Sequence, residues 1–459
     1  MTLNSVIQYI INLGPTVVLP IIIFIIAMIM RLPVGRAFRA AVIIGVGFVG
    51  INLVVGLLGD VVAPAAQAMV QHAHVNLTFL DVGWPSTAAI AYGSAVGALA
   101  IPVGLVIDLL MLWAGLTMTL DIDLWNYWHV AFAGAIVAIL TKNVGYGVFA
   151  EVVSMVIILT LADWSQPWVK THFGYDNLSF PHGTSAPYFV MALVFDKLFN
   201  VIPGLKRWEA SPQALQKAFG VFGDSMILGL IFGLLIGIIA GLPVSAILTL
   251  GITVAAVMVI LPRMVAILME GLIPIADGAS ELLQKRFPGR KLFLGMDTAI
   301  LIGDPTTIAC SVVLVPVTLG LAFVLPGNRV LPLVDLATIP FILALMTTVF
   351  RGNVIRTLIG GALAMIPTLY IATNLGPFMT TAAAQVGFKF PANATHISSL
   401  VDGGNLLPWV IKEANEFGIV GIAVLFVLAL GFAWLIRNQV TLRHGPSQTK
   451  PTAPQAAAN

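Results

Sequence analysis

Charge is what this chain has least of. Asp, Glu, Lys and Arg together make up 9% of its 459 residues, where a water-soluble domain carries roughly 25%. So few charges cannot cover a surface that faces water, and 59% of the residues are hydrophobic. The solvent for most of the chain is therefore lipid, and its apolar stretches must close their backbone hydrogen bonds internally, as helices. A net charge of only +2 gives no footprint for nucleic acid. There is one cysteine, Cys310, inside the apolar run 308–315. No disulfide can form within the chain, and the thiol reads as packing. Phosphate-binding Gly-rich loops, dinucleotide fingerprints and zinc-ligand spacings are all missing. No cofactor and no metal are expected, and ATP is not the energy source of this chain. The N-terminus lacks the basic segment and small-residue cleavage site of a removed signal.

What the chain has in quantity is apolar length. A spanning helix needs about 20 apolar residues. Candidate spans lie at 8–30, 38–59, 88–113, 125–141, 145–163, 221–241, 244–268, 297–324, 334–350, 355–375 and 417–436, about eleven in an all-α polytopic membrane protein. Gly14-Pro15, Pro20, Pro102 and Pro262 are expected to break their helices, as is tolerated where backbone lines a cavity or is buried in protein. The membrane domain is expected over 1–436, followed by a disordered cytoplasmic tail, rich in Pro, Ala and Gln, over 437–459. Basic residues orient the spans. The loop with Arg31, Arg36 and Arg39 carries no acid and is read as cytoplasmic. So are the segments with Lys206, Arg207 and Lys217, with Lys285, Arg286, Arg290 and Lys291, with Arg351 and Arg356, and with Arg437, Arg443 and Lys450. The stretch 61–80 has no Lys or Arg and is read as external. An odd number of spans satisfies all of these, with the N-terminus outside and the C-terminus on the cytoplasmic side.

One segment does not fit as a span. Residues 181–200 are moderately apolar and short, with both flanks on the cytoplasmic side. They read as a re-entrant hairpin or as a helix lying along the membrane surface. A faint repeat is also present. Asp60-Val-Val-Ala-Pro64-Ala-Ala precedes an amphipathic stretch and then Asp81, and Glu270-Gly-Leu-Ile-Pro274-Ile-Ala precedes one and then Asp297. The first stretch has no basic residue and the second has four, so the two are expected to face opposite sides. Inverted repeats over about 38–163 and 244–375 follow, with the substrate site near the midplane between them.

Ionisable residues in the apolar phase cost about 2.5–3.5 kcal/mol each on insertion scales and are functional candidates for that reason. Asp81-Val82-Gly83-Trp84-Pro85-Ser-Thr87 opens the third span. Gly and Pro free backbone groups there, and Trp84 offers a plate on which sugars and polyols stack. The same residues also suit an interfacial Trp anchor with an Asp cap. In Trp125-Asn126-Tyr127-Trp128-His129 the indoles read as an interfacial belt, while His129 begins an apolar run and faces inward. Pro181-His182-Gly183-Thr184-Ser185-Ala186 starts the hairpin. Its hydroxyls donate and accept, which suits hydroxylated ligands, and His182 can take a proton near neutral pH. Asp297 heads the eighth span, with Asp304 two helical turns on, and two carboxylates on one face can bind a polyol or a proton. Asp335 and Thr338 form a similar group. For Asp297, Asp304 and Asp335, capping of a broken helix is the other reading.

At these residues the sequence resembles a known family. Gly14-Pro-Thr-Val-Val-Leu-Pro20, Asp81-Val-Gly-Trp-Pro85, Pro181-His-Gly-Thr-Ser-Ala186, Pro326-Gly-Asn-Arg-Val-Leu-Pro332, Asp335-Leu-Ala-Thr338 and Arg351-Gly-Asn353 occur in the order seen in the galactitol permeases. These are the membrane (IIC) components of the phosphoenolpyruvate-dependent sugar phosphotransferase system. The resemblance runs from about residue 8 to 436, and more distantly it extends to the ascorbate permeases. It implies a homodimer with eleven spans, two inverted repeats and re-entrant hairpins, in which a core domain slides against a scaffold as an elevator. It implies a substrate site at Asp81 to Gly83, His129, His182 and Asp297. The glutamines beside the histidines of the ascorbate branch are replaced by Ala133 and Gly183, which argues against ascorbate, and Thr184 and Ser185 are the replacement donors. It also implies a cytoplasmic IIB protein, itself charged by IIA, that carries the phosphoryl group on its own cysteine and passes it to the bound solute. Lys206, Arg207, Lys217 and 285–291 are candidate docking sites for it. His182 or Asp297 is the candidate base for the attacking hydroxyl. The rival readings are a secondary transporter driven by protons through Asp81, His129 or Asp297, and a passive facilitator.

Overall fold

The computed structural model describes residues 15–29, 31–73, 77–202, 225–286, 291–390 and 394–443. Gly14, the basic residues Lys206, Arg207, Lys217 and Arg290, and the tail from 444 onward lie outside the described residues.

The chain opens with α1 (Pro15–Ile29) and the long α2 (Val34–Ala73). Strand β1 (Phe79–Asp81), a short helix α3 (Gly83–Gly93) and α4 (Gly97–Ala114) follow. Next come β2 (Thr119–Asp121), a 3-10 turn (Leu124–Tyr127), α5 (Trp128–Thr141) and the long α6 (Val144–Phe173). Strand β3 (Leu178–Ser179) and α7 (Ala186–Val201) complete this part. The succession then recurs. Helix α8 (Ser225–Ile239) leads into the long α9 (Val244–Arg286), β4 (Phe293–Gly295), a 3-10 turn (Thr298–Ile300) and α10 (Pro305–Val324). After them come β5 (Val330–Leu331), a 3-10 turn (Asp335–Thr338), α11 (Ile339–Val349) and the long α12 (Val354–Gln385). Strand β6 (His396–Ser398), α13 (Leu406–Asn415) and a last helix, α14 (Gly418–Arg443), end the described chain.

The six short strands form two parallel sheets, ordered β5-β1-β6 and β2-β4-β3. Phe79 lies opposite Val330 and His396 in the first, and Leu294 opposite Leu120 and Leu178 in the second. Each central strand thus comes from one part of the chain and both its flanks from the other. Parallel strands are stable where both faces are covered, and Phe79, Val330, Phe293 and Leu294 are all buried. The long helices α2 and α9 pack along each other and share a core through Ile44, Leu261 and Leu268.

Among the described residues, eight helices are long and apolar enough to cross a membrane. The chain is therefore an all-α polytopic membrane protein. The segments expected at 8–30, 221–241 and 334–350 appear as the shorter α1, α8 and α11. The prolines do not act as expected, because helix continues through Pro20, Pro102 and Pro262. The breaks fall elsewhere. The span expected at 88–113 is interrupted after Gly93, where the Ser94 hydroxyl bonds Ala91 O at 2.7 Å and receives Gly97 N at 3.2 Å. A polar side chain there takes over backbone groups that the helix would otherwise satisfy. The span expected at 297–324 starts only at Pro305, because residues 297–304 form a 3-10 turn and a loop. Helix α14 also runs past residue 436, into the segment expected to be a disordered tail, as far as Arg443.

Candidate functional site

Both sheets end in loops that turn directly into helices, and carboxylates stitch those loops together. Asp81, at the end of β1, is fully buried. Its carboxylate accepts from Gly83 N at 3.0 Å, Leu333 N at 3.1 Å and Asp335 N at 2.7 Å. Asp335 in turn accepts from Trp84 N at 2.8 Å, the Ser399 hydroxyl at 2.6 Å, Leu400 N at 2.9 Å and Val401 N at 3.2 Å. Two acids from distant parts of the chain thereby hold three loops in one place. Gly83 turns sharply there with φ +78°, a conformation that favours glycine. Val82 is buried and donates its N–H to Ser398 O at 3.1 Å. Asp81, Val82, Gly83 and Asp335 all lie behind the cavity wall, and none of them lines it.

The cavity itself has about 490 Å³ of free space, its mouth included. Trp84, Trp125, Trp128 and Phe341 supply aromatic walls, and His129, His182, Thr184, Asn126, Asp297 and Thr338 supply polar ones. Ala299 and Val401 complete it, and among the described residues no lysine or arginine lines it. Asp297 caps the 3-10 turn, where Oδ1 accepts from Ala299 N at 2.8 Å and lies 3.3 Å from His182 Nε2. Its Oδ2 accepts from Asn126 Nδ2 at 3.0 Å. Asn126 also donates to Asp123 Oδ2 at 2.6 Å and accepts from Trp128 Nε1 at 3.2 Å. On the other wall His129 Nδ1 lies 2.7 Å from Asp402 Oδ2, with both side chains at or below 2% exposure. The two imidazoles meet edge to face, 5.0 Å between centroids.

The residues around them are used structurally. Asn405 Nδ2 donates to Gly183 O at 3.1 Å and Thr184 O at 3.3 Å. The Ser185 hydroxyl pairs with Thr298 Oγ1 at 2.7 Å and donates to Phe341 O at 2.6 Å, so it is turned away from the cavity. Gly183 has no room for a side chain, because a Cβ would run into the His129 ring. Thr338 donates to Asp335 O at 2.7 Å while lining the cavity. Asp304 is not brought here. It caps α10 through Thr307 N at 2.9 Å and pairs with His172 Nε2 at 3.0 Å. The break between 297 and 304 separates two carboxylates that a continuous helix would have placed on one face.

The sequence reading did not reach Asn126, Asp402, Asn405 or Phe341, and it assigned Trp125 and Trp128 to an interfacial belt. One signal was available. Ser399-Leu-Val-Asp402-Gly-Gly-Asn405 has the same spacing as Ser179-Phe-Pro-His182-Gly-Thr-Ser185, and each begins at or just past the end of the last strand of its part. Among the described residues, no group of three or more His, Cys, Asp or Glu side chains is arranged to hold a metal ion.

A cavity of aromatic faces and paired polar groups, set between helix-entering loops in a membrane protein, suits an uncharged hydroxylated solute. The family of sugar-specific permease components of the phosphotransferase system, EIIC-GAT, matches residues 9–393. The chain belongs to this family. The EIIC-GAT chain is 38% identical over 435 residues to a protein of Escherichia coli (strain K12) named by inference as a permease IIC component. The match covers 94% of this chain and 99% of that one. It is 36% identical over 435 residues to the galactitol-specific EIIC components of E. coli strain K12 and of E. coli O157:H7, covering 94% of this chain and 96% of each. The EIIC-GAT chain is thus a multi-pass membrane component of the sugar phosphotransferase system, and such components work with IIA and IIB partners on a sugar substrate.

Proposed function

We propose that this permease binds a polyol, galactitol first among them, and carries it inward while a phosphorylated IIB protein transfers its phosphoryl group to the bound solute. The observation that carries the reading is the cavity wall. Indole faces stack on the C–H surface of a polyol. His129, His182, Asn126, Asp297 and Thr184 offer donors and acceptors around it, with no lysine or arginine among the described lining residues to select an anion. The substrate named for two relatives points the same way. Family membership favours phosphorylation over the proton-driven alternative.

The finer architecture is part of the same proposal. The recurring element order and the exchange of strands between the two parts support an inverted repeat, with the solute held where the parts meet. Helix α7 starts at the buried cavity loop and ends at the exposed Val201, which supports a re-entrant hairpin over 181–200. Eleven spans, an external N-terminus, a cytoplasmic C-terminus, a homodimer in lipid and an elevator motion complete the picture by resemblance. The test is reconstitution in vesicles with radiolabelled galactitol, with phosphorylated IIB added or withheld. Galactitol phosphate formed only with IIB is the expected result. Accumulation of free galactitol without IIB would establish the rival transporter instead.

A further inference from the structure

Two histidine–carboxylate pairs meet edge to face at the cavity wall, and they differ in which ring nitrogen each leaves over. His182 turns Nε2 toward Asp297 at 3.3 Å, and its Nδ1 is buried without a hydrogen-bond partner among the described residues. Asp297 is shared, since it also accepts from Ala299 N and from Asn126. His129 is held more tightly. Its Nδ1 meets Asp402 Oδ2 at 2.7 Å, and Trp128 lies over the ring with centroids 3.9 Å apart. Its Nε2 meets only the Thr184 hydroxyl among the described residues, at 3.4 Å, a long contact that a ligand hydroxyl can replace. His129 and Thr184 both line the cavity, and Asp402 does not. A ring nitrogen left to one long, replaceable contact with a cavity residue, while the opposite nitrogen lies beside a buried carboxylate, is the arrangement of an oriented general base.

We propose that His129 is the catalytic base of phosphoryl transfer and that Asp402 is the residue that positions it, keeping the imidazole proton on Nδ1. The inference rests on the permease reading above. In the step, an oxygen of the polyol hydroxyl forms a bond to phosphorus and the P–S bond of the IIB phosphocysteine breaks. The sulfur leaves with the electron pair as thiolate. The hydroxyl proton passes to His129 Nε2, and Asp402 stabilises the imidazolium until the proton is released to water. This assigns the base to His129 rather than to His182 or Asp297, which then serve to bind the solute.

The decisive substitution is Asp402→Asn. A carboxylate can only accept from Nδ1–H, whereas an amide can donate to Nδ1. An amide turned with its nitrogen to Nδ1 moves the ring proton to Nε2 and removes the lone pair that the substrate needs, and one turned with its oxygen there no longer offers a negative charge to the imidazolium, in both cases with little change of shape. If Asp402 instead carried a proton and donated to Nδ1, the amide would do the same and D402N would behave as wild type. The experiment measures galactitol binding without IIB, and single-turnover formation of galactitol phosphate with phosphorylated IIB, on the full-length protein in vesicles. His129→Gln and Asp402→Asn are expected to lower transfer by about 10²–10⁴ and binding by at least tenfold less than that. Asp402→Glu, which keeps an acceptor, is expected to recover part of the rate. Equal losses of binding and transfer, or wild-type transfer by D402N, would overturn the assignment. No galactitol phosphate from the wild-type chain with IIB would overturn the reading of galactitol as the solute, and with it the assignment that rests on it.

Discussion

Asp81 ends the first strand of its part of the chain and Asp297 lies two residues past the first strand of the other, and they end in opposite circumstances. Asp81 lies behind the wall, its carboxylate filled by three backbone amides, two of them from the loop that holds Asp335. Asp297 lies in the wall, shares one oxygen with a histidine, and borders free space. An acid at the mouth of each central strand is thus a structural staple in one sheet and a cavity group in the other. The difference comes from the neighbouring loops. Beside β1, the loop after β5 turns backbone N–H groups onto the carboxylate. Beside β4, side chains from the loops after β2 and β3, Asn126 and His182, meet Asp297 instead. A side chain can exchange its partner for a ligand, whereas a backbone amide fixed in a buried loop cannot without unfolding that loop.

This contrast predicts where damage falls. The largest effect on stability is expected from Asp335→Ala, which leaves Trp84 N, Leu400 N, Val401 N and the Ser399 hydroxyl without their acceptor. Each buried orphan costs about 1–3 kcal/mol, so the purified protein should lose its cooperative thermal transition or show it at a much lower temperature. Next comes Asp297→Asn. The amide oxygen still accepts from Ala299 N, so the melting temperature should stay close to wild type. Exchanging one acceptor oxygen for an NH2 group should weaken galactitol binding by about 10–100-fold, as expected when a buried hydrogen bond loses its partner. A variant that melts early but binds normally would erase the distinction between staple and cavity group. The smallest effect is expected at Asp304, outside the cavity. Asp304→Ala removes a helix cap and the partner of His172, which should cost about 1 kcal/mol and leave galactitol binding unchanged in a direct binding assay.

Much of the site was legible in the sequence because polar residues are so scarce there. His129, His182, Thr184 and Asp297 stood out against apolar surroundings, and all four line the cavity, as do Trp84 and Thr338. Asp81, Gly83, Ser185 and Asp335 stood out for the same reason, although their hydrogen bonds belong to the framework behind it. Polarity in lipid marks a residue that matters without saying whether its partner is a ligand or a backbone amide. Asp402 and Asn405 escaped notice because they lie between the apolar segments at 355–375 and 417–436, where an acid, two glycines and an amide read as an ordinary turn. The strands escaped for a different reason, since two or three residues cannot display a period of two. The break after Gly93 depends on one serine hydroxyl in an otherwise apolar run, which no average over a window can detect.

The central claim is that the cavity between the two sets of loops is where the solute binds. The most direct measurement is equilibrium binding of radiolabelled galactitol to the purified full-length protein, without IIB, for the wild type, Asp297→Asn and Asp304→Ala side by side. Saturable binding that is lost in the first variant and kept in the second is the predicted result. Binding kept in Asp297→Asn would place the solute elsewhere and contradict the claim.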